Sequence, residues 1–483
     1  MNHRQDDNIL KLLEHIHDGK AQDERQQHAI FDAAARRILH ECDWSYYDQA
    51  QQILCKAIMT SDRWLVGEPT LAASLFTAEV QLKAAQNHAK HVLSTIPQDR
   101  HYTYHARGSR IRLGFVGCDF YEQATSYLMV GFIEAMDRSC FELFAYDTGP
   151  EPPNTPFRQR VVTAYDHMTS LQHLTDAQAA DRIHQDRIDV LFSIKNPASA
   201  RLGIFARRPA PIQIHYLYYP ATSGMPFFDY ILADSVVIPP ENEHFYSEKV
   251  LRIKGCYQPN DASRPLAQET SRSQWGLPKD AIVLVNFSQT YKITPQMFGI
   301  WCQLLQQDNK RILWLLCEQP HIQQRLRQEA SNRGVDPRRI FFTQHLPTQQ
   351  HLNRIRQADL IVDTYPYGGH TLTSDALWAR TPVVTMTGET FASRVAASLL
   401  IHDGMGEMVA YDDSGYIRVA DALLTQNEIL KFWRQYLDLG RCGIRLFEPN
   451  IQKTERLTLT AYACPEPYRL VVSSGRSLQK ATG

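Results

Sequence analysis

The chain has 483 residues, with 51 Lys and Arg against 52 Asp and Glu, a formal net charge of −1. That balance gives no case for a nucleic-acid or acidic-membrane partner, and 43% hydrophobic with 10% aromatic residues excludes disorder. Nine cysteines, scattered and without any CxxC pair, predict reduced thiols packed as small hydrophobes, with no disulfide frame and no zinc site.

Residues 1–10, MNHRQDDNIL, lack the apolar core of a signal peptide. The longest compact apolar run, Ile312–Cys317, is far short of the roughly 20 residues of a membrane helix. A cytoplasmic protein with no membrane span is therefore expected. Residues 1–105 read as an all-helical lead-in. Ile30, Ala33, Ala34 and Ile38, then Leu71, Leu75, Ala78 and Leu82, recur at helical spacing. Breaks are expected at Ser61 or Asp62, before Arg63-Trp64, and at Glu68-Pro69. No 34-residue unit repeats, so this lead-in holds at most a vestigial tetratricopeptide-like element.

From Ser109 the pattern changes to short apolar runs alternating with helical stretches. Strands are predicted at 111–116, 141–146, 190–194, 212–217, 230–233, 281–287, 312–316, 340–343, 360–363 and 382–386. Several are apolar on both parities, as in parallel strands covered on both faces. The fold class is α/β, with two doubly wound, Rossmann-like domains at 106–265 and 266–445 facing a cleft. The turn-rich stretch Gly255–Pro265 joins them, and residues 446–483 form a short helix at Gln452–Ala461 and a tail.

Three loops of the second domain carry chemistry. Asp363–Trp378 runs from a strand through Pro366, Gly368 and Gly369 into a helix starting near Thr371. Glycines that admit close backbone approach, followed by a helix N-terminus, form an anion site. His370 and Thr371 add donors there, and Asp375, one helical turn on, can accept from ribose hydroxyls. An ordinary turn capped by Thr371 or Thr373 reads as well by itself. Asn286–Pro295 places Gln289 and Lys292 at another strand's carboxyl end, where a lysine can neutralise a leaving diphosphate. His345–Arg354 places His351 and Arg354 on one helix face. Taken alone, each of these last two reads better as solvated surface. Together they match the needs of a nucleoside diphosphate. No GxxxxGK[ST] and no GxGxxG occurs.

In this order the residues resemble the catalytic region of the O-linked N-acetylglucosamine transferase/SPINDLY family, of the glycosyltransferase family 41 type. The matching segments are Cys42–Asp48, Arg112–Phe120, Ile204–Gln213, Tyr219–Gly224, Phe228–Asp234 and Tyr246–Lys249. They continue through Tyr291–Pro295, Gly369–Thr371, Ser374–Trp378 and Gly388–Ser398. The resemblance implies a GT-B fold and a transferase moving a sugar, usually N-acetylglucosamine from its UDP form, to Ser or Thr hydroxyls of proteins. It implies inversion, no metal and no cofactor beyond the UDP-sugar substrate. Lys292, Gln289, His370 and Thr371 would hold the diphosphate, with Leu372 beside them. His351, Arg354 and the Leu346 backbone would meet the base, and Asp375 the ribose. Lys292 and His370 are the expected catalytic pair. SPINDLY-type members, which are similar, use GDP-fucose.

The first domain departs from the family pattern. Gln123 stands where a histidine is usual, and Tyr127 at the place of a nearby second one. Ser193–Arg201 replaces an acidic loop, and Tyr218 occupies an expected glycine. All three departures fall on the expected sugar and acceptor side. They leave open an active transferase with altered sugar or acceptor choice, one without a side-chain base, or a nucleotide-sugar-binding partner subunit of another transferase. Small-molecule glycosylation and sugar-nucleotide epimerisation are further alternatives. The expected partners are an acceptor protein and a nucleotide-sugar donor, with a partner protein or a second copy left open. With only residues 1–41 before the first matched segment, acceptor choice is expected to rest on a short helical platform, the cleft or a separate partner.

Overall fold

The computed structural model describes residues 33–62, 73–97, 102–104, 108–195 and 201–439, with the backbone of 459–462 and 469–472. The chain divides into two compact units, Met1–His91 with Arg264–Ile444, and Val92–Ser263 with Arg445–Gly483.

The unit built on residues 92–263 holds seven strands: β1 (Ile111–Gly117), β2 (Phe141–Asp147), β3 (His167–Ser170), β4 (Val190–Ser193), β5 (Ile212–His215), β6 (Tyr230–Ala233) and β7 (Lys249–Arg252). All neighbours pair in parallel, in the order β3-β2-β1-β4-β5-β6-β7. The unit built on residues 264–444 holds β8 (Ile282–Asn286), β9 (Arg311–Leu316), β10 (Ile340–Thr343), β11 (Leu360–Val362), β12 (Val383–Met386) and β13 (Val409–Ala410). Its order is β10-β9-β8-β11-β12-β13, again all parallel. Both sheets are the doubly wound α/β type expected from the sequence. In each, the chain builds outward from one central strand and then crosses to that strand's other side. The crevice at this switch, beyond the carboxyl ends of β1 and β4 or of β8 and β11, is where such sheets bind ligands.

The ten predicted strands all form, each within two residues at either end. β3, β7 and β13 were not anticipated. All three are sheet edges. β3 and β7 are half-exposed and carry polar residues, and β13 has two residues, so none leaves an apolar run to read. One expectation fails: Leu459–Tyr462, the end of the expected 452–461 helix, is strand β14, paired antiparallel with β15 (Arg469–Val472). The alternation Leu-Thr-Ala-Tyr finds a strand partner ten residues on, and pairing wins over weak helical spacing. Residues 452–458 of that expected helix, Ile30, Leu71, Arg63-Trp64 and Glu68-Pro69 lie outside the described residues.

The lead-in also differs from expectation. A helix at 33–39 forms as the spacing predicts, and α1 (Tyr47–Thr60), which neither spacing marks, stops at Ser61; the 71–82 spacing does not make one helix, because residues 76–77 break it before α2 (Ala78–Thr95). Ala34, Ile38, Leu39, Tyr47, Leu54, Ile58, Leu75 and Phe76 share one core. Yet up to His91 this region belongs to the unit of residues 264–444 and is no separate domain. Tyr291 packs against its core, the Trp44 and Phe298 rings lie 5.5 Å apart, and the Thr290 hydroxyl donates to the His40 carbonyl at 2.8 Å. Four more helices of that unit border the crevice or back it: α3 (Pro295–Gln307), α4 (Thr348–Ile355), α5 (Thr371–Trp378) and α6 (Phe391–His402). Among the described residues no helix is long and apolar enough to cross a membrane, and the seven described cysteines are unbridged.

Candidate functional site

Asp363, the residue after β11, organises the glycine turn. It is 1% exposed. Its Oδ1 accepts from the Gly369 amide at 2.6 Å and its Oδ2 from the Thr385 hydroxyl at 2.7 Å. The Tyr416 hydroxyl donates to its carbonyl at 2.9 Å. Burial pushes the Asp363 carboxyl up, against the Thr385 hydroxyl, two backbone amides and nearby Lys292, which favour its charged form. The Gly368 amide is anchored on the Ala392 carbonyl of α6 at 3.1 Å. A Cβ on Gly369 would stand 2.8 Å from Thr373 Oγ1 and 2.9 Å from Asp363 Oδ1, so only glycine allows this approach. The turn is thus braced from beneath. The first-turn amides of α5, which no helix can satisfy internally, are left for a ligand.

Lys292 comes from the loop after β8, on the other side of the switch point. Its Nζ donates to the Gly368 carbonyl at 2.9 Å and lies 3.7 Å from the centre of the Tyr367 ring. Burial pulls its pKa down to about 8, with Asp363 opposing the shift. At neutral pH the ammonium remains charged in a poorly solvated spot, where an arriving anion would stabilise it. His370, the residue capping α5, donates from Nε2 to the Ala392 carbonyl at 3.4 Å. Burial, and the charge of Lys292, hold its pKa well below the ordinary histidine range, so it is neutral. Thr371 opens α5, and Leu372 is buried beneath the first turn.

A second group lies between α4 and α5. Arg354, 1% exposed, donates from Nε and a terminal nitrogen to His351 Nδ1 at 3.1 and 2.8 Å. Because arginine only donates, Nδ1 accepts and the His351 proton sits on Nε2. That nitrogen is 3.5 Å from Asp375 Oδ2. Arg354 also donates to the Thr343 hydroxyl and the Gln344 carbonyl, and stacks 4.3 Å over Phe287. These partners are neutral, and burial lowers its pKa to about 10. Arg354 therefore orients His351 and does not itself face solvent. Burial pushes Asp375 up, but His351 and Arg264 outweigh it and hold the carboxyl below its ordinary range.

Gln289 Nε2 donates to His345 Nε2 at 3.2 Å, joining the loops after β8 and β10, with Leu346 next in the same loop. The structure thus gathers Gln289, Lys292, Leu346, His351, Arg354, His370, Thr371, Leu372 and Asp375 along one edge of one sheet. The roles of Asp363 and Arg264 were not read from the sequence. Asp363 looked like a strand end, and Arg264 sits in a stretch with no periodicity to mark it.

In the unit of residues 92–263, Gln123 precedes the helix Ala124–Glu134 without capping it, and donates to the Tyr121 hydroxyl at 3.3 Å. Tyr127 packs on Phe157, ring centres 4.5 Å apart. The other departures are coupled. Lys195, from the replaced loop after β4, pairs with both oxygens of Asp119 at 3.0 and 3.1 Å, and its ammonium stacks 4.5 Å over the Tyr218 ring. Tyr218 follows Leu217, whose φ of 73° is the left-handed region that favours glycine. The bulky residue at the expected glycine therefore covers a lysine that the replaced loop introduced. Each unit carries a lysine–aspartate arrangement across its switch point.

Known proteins place the chain. The sequence model of glycosyl transferase family 41 matches residues 41–267 and 260–455. The chain belongs to glycosyl transferase family 41. The resemblance read from the motifs is therefore correct. An Arabidopsis thaliana relative named "Probable UDP-N-acetylglucosamine--peptide N-acetylglucosaminyltransferase SEC" is 33% identical over 347 residues, covering 70% of this chain and 35% of its own length. A Caenorhabditis elegans UDP-N-acetylglucosamine–peptide N-acetylglucosaminyltransferase is 29% identical over 455 residues, 71% of this chain and 39% of its own. The Arabidopsis protein whose name ends in SPINDLY is 26% identical over 320 residues, 64% of this chain and 34% of its own. The chain thus spans between a third and two fifths of these curated relatives. Among solved structures, an O-GlcNAc transferase mutant of Thermobaculum terrenum superposes with a TM-score of 0.68 at 22% identity, over 94% of this chain and 96% of that one. At that identity the likeness speaks for the fold.

Proposed function

We propose that this family 41 chain is a glycosyltransferase that moves a sugar from a nucleotide donor, UDP-N-acetylglucosamine first, to Ser or Thr hydroxyls of an acceptor protein. One observation carries the reading. At the switch point of the 264–444 sheet, the Gly368-Gly369 turn, the N-terminus of α5 and the Lys292 ammonium converge, with Lys292 Nζ 2.9 Å from the Gly368 carbonyl. A diphosphate seated on the α5 amides would have a desolvated cation beside it. The names of the matched relatives support the donor and the acceptor class.

The reaction is a single displacement with inversion. The acceptor oxygen attacks the anomeric carbon, and the bond to the diphosphate breaks with its electron pair leaving on oxygen. Lys292 and the first-turn amides stabilise the charge growing there, the term that dominates such catalysis. These groups suffice to receive the diphosphate, so a metal-independent reaction is part of the proposal. Neutral His370 contributes packing and not charge, since its single N–H is directed at the Ala392 carbonyl. Gln123 has no basicity to take the acceptor proton, so in this reading the proton passes to an oxygen of the departing diphosphate. Incubating the full chain with labelled UDP-N-acetylglucosamine, UDP-glucose and GDP-fucose, and host-lysate proteins as acceptors, tests the reading. Transfer of label from a UDP-sugar is expected. Binding of UDP with neither transfer nor donor hydrolysis would replace it with a non-catalytic binding role.

A further inference from the structure

The stretch that joins the two units is not a passive linker on the side of residues 264–444. From Arg264 to Arg272 it is bonded step by step to the two helices that carry the expected nucleoside-binding side chains and to the turn that follows α4. Arg264 forms an ion pair with Asp375 on α5, donates to the Ser374 carbonyl at 3.3 Å and lies 5.4 Å over the Trp378 ring. Trp378 Nε1 donates to the Pro265 carbonyl at 2.9 Å. Gln349, on α4, donates to the Leu266 carbonyl at 2.8 Å, and the Gln268 amide donates to Asn353 Oδ1 of α4 at 2.7 Å. Gln357 reaches Thr270 at 3.0 Å, and Arg272 pairs with Asp359 at 2.7 Å. The segment is a strap across α4 and α5, and its first anchor is the Asp375 carboxylate.

We propose that Arg264 is a positioning residue for ribose recognition: it fixes the Asp375 carboxylate so that the carboxylate can accept from a ribose diol. The inference rests on the nucleotide-site reading given under Proposed function. Its geometry is specific. Asp375 Oδ1 is held by Arg264, whose side chain is only 5% exposed, and Oδ2 faces the proton on His351 Nε2. Each carboxylate oxygen has two acceptor directions, so one on each oxygen remains for a hydroxyl. The His351 proton is fixed in turn by Arg354. Arg354, His351, Asp375 and Arg264 thus form one row whose hydrogen-bonding directions are set before a ligand arrives. Without Arg264, the carboxylate keeps only the 3.5 Å contact to His351 and is free to rotate. Arg264 is also the first residue of its unit after the chain crosses over. The point where the strap begins and the point where a ribose would be read are therefore one ion pair.

The test is calorimetric binding of UDP and of 2′,3′-dideoxy-UDP to the full chain, wild type, Arg264→Lys and Arg264→Met. Wild type is expected to prefer UDP by about tenfold or more, the worth of hydrogen bonds to a charged acceptor. Arg264→Met should weaken UDP by about tenfold and the dideoxy analogue by less than about twofold, with Arg264→Lys recovering part of the preference. Gln349→Ala cuts the strap without touching the row, so it should lower the melting temperature yet keep the preference. An equal loss for both nucleotides in Arg264→Met shows a merely structural anchor and overturns the inference, as does an unchanged preference. If Arg264→Met fails to fold, an unchanged preference in Arg264→Lys overturns it equally. A wild type that binds neither nucleotide overturns the nucleotide-site reading and the inference with it. A wild type that binds both equally overturns the inference alone.

Discussion

Replacing Lys292 by methionine should stabilise the ligand-free protein while removing its activity. The ammonium is displaced from an ordinary pKa of 10.5 to about 8. At 1.36 kcal/mol per tenfold change, holding it charged at pH 7 costs roughly 3 kcal/mol. The bond to the Gly368 carbonyl and the Tyr367 ring return about 1–2 kcal/mol of this. Lys292→Met removes cost and return together and keeps most of the apolar stem, so a net gain of about 1–2 kcal/mol is expected, or roughly 2–5 °C in melting temperature. The sign with pH is fixed. The folded pKa lies below the unfolded one, so the cost is complete below about pH 8 and fades as pH rises toward 10.5. The gap between variant and wild type should therefore be widest below pH 8 and close above it. UDP should raise the melting temperature of wild type and barely that of the variant, and turnover should fall by about 10²–10³. Scanning calorimetry between pH 6 and 10, with and without UDP, reads all of this. A variant that melts lower than wild type at pH 7, yet keeps its full UDP-induced shift, would refute the assignment of Lys292 as a strained cation awaiting an anion.

Three further outcomes follow from the same geometry. A diphosphate that restores the Lys292 charge should bring a proton with it: at pH 8.5, UDP binding measured in buffers of differing ionisation enthalpy should show uptake of roughly 0.7 proton, and no net uptake at pH 6.5, where Lys292 is already charged and the terminal phosphate of UDP can only release a proton; equal uptake at both pH values sinks this account. Gly369→Ala drives a methyl against Thr373 and Asp363, and should cost about 1–3 kcal/mol in chemical denaturation and weaken UDP at least about tenfold; a neutral result would mean the turn has slack. Lys195 and Tyr218 should couple by about 0.5–1 kcal/mol in a double-mutant unfolding cycle, because the ammonium stacks on the ring. Strictly additive effects would show that the two departures from the family pattern are independent.

The sequence alone settled what local chemistry can settle. Ten strands were legible because each carries a short, mostly apolar run, and in most of them the residues are buried on both faces. The three loops were legible because a glycine pair before a helix, or a lysine after a buried strand, is a local signal. The order of motifs was enough to name the family. Pairing and long-range contact were decided elsewhere. Edge strands such as β3 and β7 give no apolar run, and the end of the expected tail helix became β14 because a partner strand lay within reach. Tyr218 and Lys195 read as two separate departures until the switch point of the first sheet brought ring and ammonium together. Arg264 sits in a stretch whose residues have no period, because a strap takes its shape from the helices beneath it and not from its own backbone. A residue whose partner lies 111 positions away in the chain can be placed only by the fold that closes that distance.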